Sequence, residues 1–438
     1  MTRAMLPIAM LLAVAATPAT EAEAALAHRR QFPPEEWGYH YYLSCAAAAP
    51  EHQADLAVAV KLMVASSSLQ PIVERCTPQH VTPTLLHIDL RDLQWNPGDW
   101  KQVLADYPYS DAQLPLVVRA DWLLLQLSDQ TEGDAYFRLL FGGDRLPKQR
   151  DDWLDLLKVS RERGEGFDAL RFGLIESESG VAKQPARWME NHPTLGGYAW
   201  GTRDVLEVRR GTDPLENPDG GFRHDGEEWI VGIPKVDIAS GDRGTLQVYA
   251  LANGAGRLVE EAPVDLVEDS TLFRRQRAVR NPGSCVQCHA AGLNAPSTND
   301  FRQLIADGVD VVFLGDKAKQ DQIEAFHLGR VERSLERANE DFQAIVRRVT
   351  GVDSAAASKA FKAAVNRHDA PLDLAATARE LGAAPDDWKR AIGYASTQTS
   401  TLPARVAGLA HGRTITRSAW EDTYHEARQR LHAWELRD

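Results

Sequence analysis

Five consecutive residues, Cys285-Val286-Gln287-Cys288-His289, carry the most specific chemistry in the chain. Two thiols three residues apart, with an imidazole next to the second, fall on one side of a single helical turn, because residues three and four apart are neighbours on a helix surface. That arrangement suits covalent attachment of one haem. Two thioethers would reach the vinyl groups on one porphyrin edge, and His289 would rise under the iron as its proximal ligand. With 4 Cys and 13 His in 438 residues, about 0.001 such matches would arise by chance. A zinc site would want two further Cys or His ligands at comparable spacing, and a redox dithiol leaves the adjacent His unexplained. Pro282 and Gly283 prevent an earlier helix start, and Ser284 with Gln287 reads as a capping box.

The second axial position of the iron has no obvious owner. No Met follows His289, and Met63 and Met189 are the only methionines beyond the first ten residues. The segment Trp188-Met189-Glu190-Asn191-His192-Pro193 offers sulfur and imidazole three residues apart, so one helical turn ending at Pro193 could present either. Met189 or His192 is therefore the expected distal ligand, with an open iron site as the alternative and His224, His327 and His411 as rivals. Taken singly, each has a plainer reading: Met189 as core filler and His192 as a surface or capping residue. Cys45 and Cys76 are the remaining thiols. In an oxidising compartment they are expected to form a disulfide, stabilising by about 3 to 4 kcal/mol in the chain-entropy model; two buried free thiols are the other reading.

The compartment follows from the first residues. Arg3, an apolar run from Ala4 to Ala16 and small residues around Ala22-Glu23-Ala24 and Ala25-Leu26-Ala27 read as an export signal over residues 1–27, cleaved near Ala24 or Ala27. The apolar run is shorter than the ~20 residues of a membrane span, and none is expected after signal removal. The expected location is the periplasm, or an otherwise exported location, of a bacterium. A formal net charge of -13 argues against a nucleic-acid partner, which would need a basic face.

The elements that must position these residues read as an α+β fold. Residues 28–225 form a mixed α/β region. There Leu86, Ile88 and Leu90 alternate with polar residues as in a half-buried strand, which puts His87 on a polar face. Trp100 to Tyr107 reads as a short helix, and Leu114 to Leu127 as strand or helix. Residues 226–300 are a β region with antiparallel segments at 229–231 and 246–251 that leads into the haem-binding helical turn. Residues 301–438 read as an all-helical C-terminal domain: Ile323, Phe326, Val331, Leu335, Ala338, Phe342 and Ile345 recur at helical spacing, and Ser418 with Glu421 looks like a capping box. Asp151-Asp152 and Asp386-Asp387 stand where helix starts are expected, as carboxylates favouring the dipole.

The motif resembles c-type cytochromes. Several further stretches resemble a family of large bacterial exported proteins with a single haem: Leu85 to Asp92 followed by Tyr107-Pro108-Tyr109, Arg119-Ala120-Asp121-Trp122, Phe222 to Glu227, Ser284 to Gly292, Leu372 to Ala376, and Ser418-Ala419-Trp420-Glu421. The resemblance implies a covalent haem c but no particular reaction. The expected function is electron transfer with a redox partner protein. The alternative is a haem-dependent oxidoreductase, peroxidase- or oxygenase-like, with an open distal site.

Overall fold

The computed structural model describes residues 20–161 except 111 and 113, and 168–172, 186–207, 211–212, 221–262, 278–289, 291–294, 317–318, 321, 331–395 and 403–435. His327, Ile323 and Phe326 lie outside the described residues.

The N-terminal half is built on a four-stranded sheet in the order β2-β3-β1-β4, comprising β1 (His40–Ser44), β2 (Gln79–Thr82), β3 (Leu85–Asp89) and β4 (Val117–Arg119). β3 shows why the alternation mattered. Leu86 and Ile88 enter the main core, whereas Leu85 joins Tyr42 and Ala25 in a small cluster on the other face, under helix α1 (Glu21–Arg29). His87 is thus not on an open polar face: its Nε2 is 3.0 Å from His40 Nδ1 and its ring 4.9 Å from that of His28 on α1. α1 is also tied down by Glu21, whose carboxylate accepts from Ser44 Oγ and Thr84 Oγ1. The expected cleavage points near Ala24 and Ala27 fall within this docked helix, whose N-cap is Thr20.

Helix α2 (Gln53–Ser66) is apolar nearly all round and accordingly buried. α3 (Val73–Cys76) follows it, then α4 (Pro97–Val103), capped by Asn96. The ambiguous run at 114–127 resolves into both options, β4 and then α5 (Ala120–Ser128). α6 (Ala135–Phe141) and α7 (Arg150–Leu156) complete this half, with Asp151 and Asp152 in the first turn of α7.

A six-stranded antiparallel meander follows: β5 (Asp168–Phe172), β6 (Ala186–Pro193), β7 (Tyr198–Val205), β8 (Gly226–Val236), β9 (Arg243–Asn253) and β10 (Leu258–Val259). β7 and β8 are hydrogen-bonded neighbours, so the expected boundary at 225/226 falls inside one sheet. A two-stranded ribbon, β11 (Glu261–Ala262) with β12 (Val279–Arg280), leads into α8 (Gly283–Cys288). The C-terminal described elements are helical: α9 (Val331–Thr350), α10 (Ser354–Asp369), α11 (Leu374–Glu380), α12 (Pro385–Ala395), α13 (Ala404–Ala407), α14 (Arg417–Glu421) and α15 (Tyr424–Glu435). Leu335, Ala338, Phe342 and Ile345 form the buried stripe of α9, which lies on β9 and α2. Buried residues from Tyr41 to Leu431 belong to one core, so these helices close over the N-terminal half rather than standing apart. The α14 cap is Thr416, whose Oγ1 accepts from Ala419 N, and not the expected Ser418. Glu421 instead accepts a hydrogen bond from Tyr109 Oη.

The expected disulfide is also corrected. Cys45 and Cys76 are both free and fully buried. Cys45 N bonds Thr84 O at the start of β3, while Cys76 precedes β2, whose Gln79 pairs with His87 toward the other end of β3. The register therefore sets the two thiols toward opposite ends of the sheet.

Candidate functional site

The approach to α8 is held rigidly. Asn281 donates through Nδ2 to Gln130 Oε1 at 2.7 Å and to Tyr249 O at 3.2 Å, and its own carbonyl accepts from Gln130 N at 3.0 Å. Arg280 forms a buried ion pair with Asp129, and Ser284 Oγ accepts from Arg280 N. Ser284 thus serves the strand before the helix rather than the expected capping box, and the N-cap of α8 is Pro282.

Within the turn, Cys285 is buried, Cys288 is partly exposed and neither is in a disulfide. Burial and the nearby Glu228 carboxylate push the Cys285 thiol well above its ordinary pKa. That is the opposite of what a thiolate nucleophile or an exchanging dithiol requires. His289 caps the helix, with N–H to Cys285 O at 2.8 Å. Its Nδ1 lies 3.2 Å from Gly292 O and its Nε2 3.3 Å from Glu228 Oε1. The carbonyl can take an Nδ1–H, and Nε2, the nitrogen that would ligate a metal, faces the Glu228 carboxylate, a contact it would have to give up to do so. Gly292 has φ +110°, and a Cβ there would meet Asn339 Oδ1, so only glycine fits. Asn339 on α9 holds the next residue through Leu293 N and Leu293 O.

The other wall is the meander. Directly paired residues in an antiparallel ladder share a face. Met189, Thr202, Glu228 and Leu251 are paired in sequence across β6, β7, β8 and β9, so all four side chains lie on one face, with Arg187 and Tyr249 two residues along. This is the face that His289 meets, through Glu228 and through the Tyr249 ring, 6.2 Å away and inclined by 27°. Arg187 is held in a two-point pair by Asp204 at 2.6 and 2.8 Å and approaches Glu228 at 3.9 Å. Burial pushes the Glu228 carboxyl up, but His289 and Arg187 outweigh it and hold the pKa down at about 2.

The segment 186–193 is a strand and not the expected helical turn, so Met189 and His192 point to opposite faces. Met189 is on the face that His289 meets, buried at 5% exposure. His192 is on the other, its Nδ1 3.1 Å from Ser160 O and its Nε2 3.0 Å from Glu190 Oε1. His224 Nε2 is paired with Glu227 at 2.6 Å, and His411 is exposed in a 3-10 turn. The structure thus brings Cys285, Cys288 and His289 into one turn and Met189 onto the facing sheet. Glu228, Arg187 and Tyr249 were not legible from the sequence, because only cross-strand pairing brings them onto one face.

No family model, no curated protein and no solved structure matches the chain. Among the described residues, no three His, Cys, Asp or Glu side chains are grouped so as to hold a metal ion. The resemblance to c-type cytochromes and to a family of single-haem exported proteins is therefore withdrawn as an assignment.

Proposed function

We propose that this chain binds one haem covalently through Cys285 and Cys288, with His289 as proximal iron ligand and Met189 as distal ligand, and serves in electron transfer. The reading rests on the local chemistry of these residues and on no family. The observation that carries it is the α8 turn, with two thiols at i and i+3 and an imidazole at i+4 whose Nδ1 is taken up by Gly292 O. These residues fit the group, since a haem-ligating histidine binds through one nitrogen while a carbonyl orients the other. Haem would supply one-electron iron chemistry, tuned by axial ligands and burial.

The rest falls to the chain. Asn281 and Arg280 hold the turn, Gly292 O orients the imidazole, and Arg187 with Glu228 places a fixed charge pair beside it. Met189 is preferred to His192 because it shares the sheet face that His289 meets, whereas His192 is engaged on the other. Export to the periplasm is supported by the apolar segment before Thr20. The net charge of -13 favours a basic redox partner protein over nucleic acid. Among the described residues, no helix is long and apolar enough to cross a membrane.

The test is haem staining after denaturing electrophoresis of protein made in a host able to attach haem. We expect a stained band that Cys285→Ala/Cys288→Ala abolishes, and a low-spin spectrum that Met189→Ala turns high-spin while His192→Ala leaves it alone. A colourless wild type overturns the haem reading. An unchanged Met189→Ala spectrum overturns the distal assignment, and a high-spin wild type favours the enzyme alternative.

A further inference from the structure

A cleft of about 370 Å³ lies away from α8, between the 94–99 segment that enters α4 and the 139–145 segment at the end of α6. Its size falls within the ~300 to 1,000 Å³ of small-molecule sites. Its walls are set by interactions that the site already described does not use. Lys235, fully buried, donates through Nζ to Ser68 O and Gln70 O at 2.7 Å each, and so pins the two carbonyls that flank Leu69. Ser68 Oγ donates to Leu93 O at 2.7 Å, and Trp95 Nε1 to Ser67 O at 2.9 Å, which fastens that loop to the 93–96 segment. On the opposite side, Asp99 Oδ1 accepts from Gly143 N at 2.9 Å and pairs with Arg138. Gln94, on the rim, has φ 59°, a left-handed conformation that side chains other than Asn, Asp and His rarely adopt. Such backbone outliers cluster at ligand sites, where the surroundings over-determine them. Walls fixed by the chain's own hydrogen bonds reduce the entropy lost on binding.

The lining indicates the class of ligand. Its charges are mixed: Asp99 and Asp144 line it with Arg145, and Asp99 accepts from Gly143 N and pairs at 3.4 Å with Arg138, which is shared with Asp134. An anionic guest would find no net positive charge, and a cationic one would have to compete with Arg138 and Gly143 N for Asp99. What the lining offers is the exposed side-chain amide of Gln94, with donors and an acceptor, and that of Asn96, whose Oδ1 accepts from Gly98 N and whose NH2 is a donor, together with apolar surface from Leu69 and Phe141. A ring with hydroxyls around its edge and C–H groups on its face matches both. We infer that this cleft binds a neutral, polyhydroxylated small molecule of the pyranose sugar class.

The experiment is saturation-transfer NMR on the full chain with a panel of neutral pyranoses, and with free amino acids as the competing class. Two variants preserve the local backbone. Gln94→Gly keeps the left-handed conformation and removes the amide. Asn96→Asp keeps the oxygen that accepts from Gly98 N at 2.7 Å and removes the NH2 donor. We expect transfer to at least one pyranose, and a Kd raised about three- to tenfold by each variant, the range for one lost hydrogen bond. No transfer to any neutral sugar at concentrations up to about 10 mM, the weak end of the affinity scale, would overturn the inference. So would an affinity that both variants leave unchanged, or transfer to amino acids alone.

Discussion

Replacing Glu380 by Ala is expected to be among the most damaging single changes. This carboxylate, 3% exposed, stands between two buried guanidiniums. It accepts from Arg119 Nη1, from Arg417 Nη1 at 2.7 and 3.0 Å, and from Trp420 Nε1 at 2.7 Å. Arg119 also pairs with Asp121, and Arg417 reaches Tyr109 Oη and His368 O. Losing Glu380 would leave two buried cations sharing one buried carboxylate, which typically costs about 3 to 5 kcal/mol. That is a large share of the ~5 to 15 kcal/mol of a folded protein. Glu380→Gln keeps an acceptor but no charge, so an intermediate loss of about 2 to 3 kcal/mol is expected. The assay is urea unfolding followed by tryptophan fluorescence at pH 7, where the midpoint should fall at unchanged slope. At acid pH the gap between wild type and Glu380→Gln should close. Burial pushes the Glu380 carboxyl up, but Arg119 and Arg417 outweigh it, so the folded pKa lies below the ordinary 4.5. A depressed carboxylate pKa contributes stability that is full above the unfolded value and disappears as pH falls through the folded one. A loss below about 1 kcal/mol for Glu380→Ala, or a wild-type midpoint for Glu380→Gln, would refute this account of the cluster.

Other expectations follow from the same kind of reasoning. Glu190 has a folded pKa of about 2, where burial is outweighed by His192 and Arg203. Its contribution should be complete above about pH 4.5 and disappear toward pH 2, and a wild-type urea midpoint that stays flat between these values would contradict it. Cys45, whose thiol burial pushes up to about 12, and Cys76 should resist alkylation in the native protein yet both react on unfolding without reductant. A linked Cys45–Cys76 peptide in a non-reduced digest would contradict this. A chain starting at His28 should be less stable than one starting at Thr20 by about 2 kcal/mol or more, since it loses the two hydrogen bonds to the Glu21 carboxylate and the buried Ala25. Equal melting curves would show that α1 contributes nothing.

Features that live within one turn or one strand are legible in the chain's local pattern. Cys285, Cys288 and His289 share a helical turn because i, i+3 and i+4 positions must, and the Leu335, Ala338, Phe342 stripe of α9 is legible because helical periodicity is a local property. The α+β class followed from the same local patterns. How distant segments meet depends on strand pairing and long-range packing instead. At 188–193, a spacing of three suits a helix, yet hydrogen bonding to β7 makes it a strand, which sends Met189 and His192 to opposite faces. Arg119 lies some 300 residues before Arg417 and Trp420 in sequence, yet all three donate to the one buried carboxylate of Glu380, and nothing in their local sequence requires it. The Cys45 and Cys76 pairing failed for the same reason. Loop length sets only the entropy of closing a bridge, whereas strand register decides whether the thiols can meet at all.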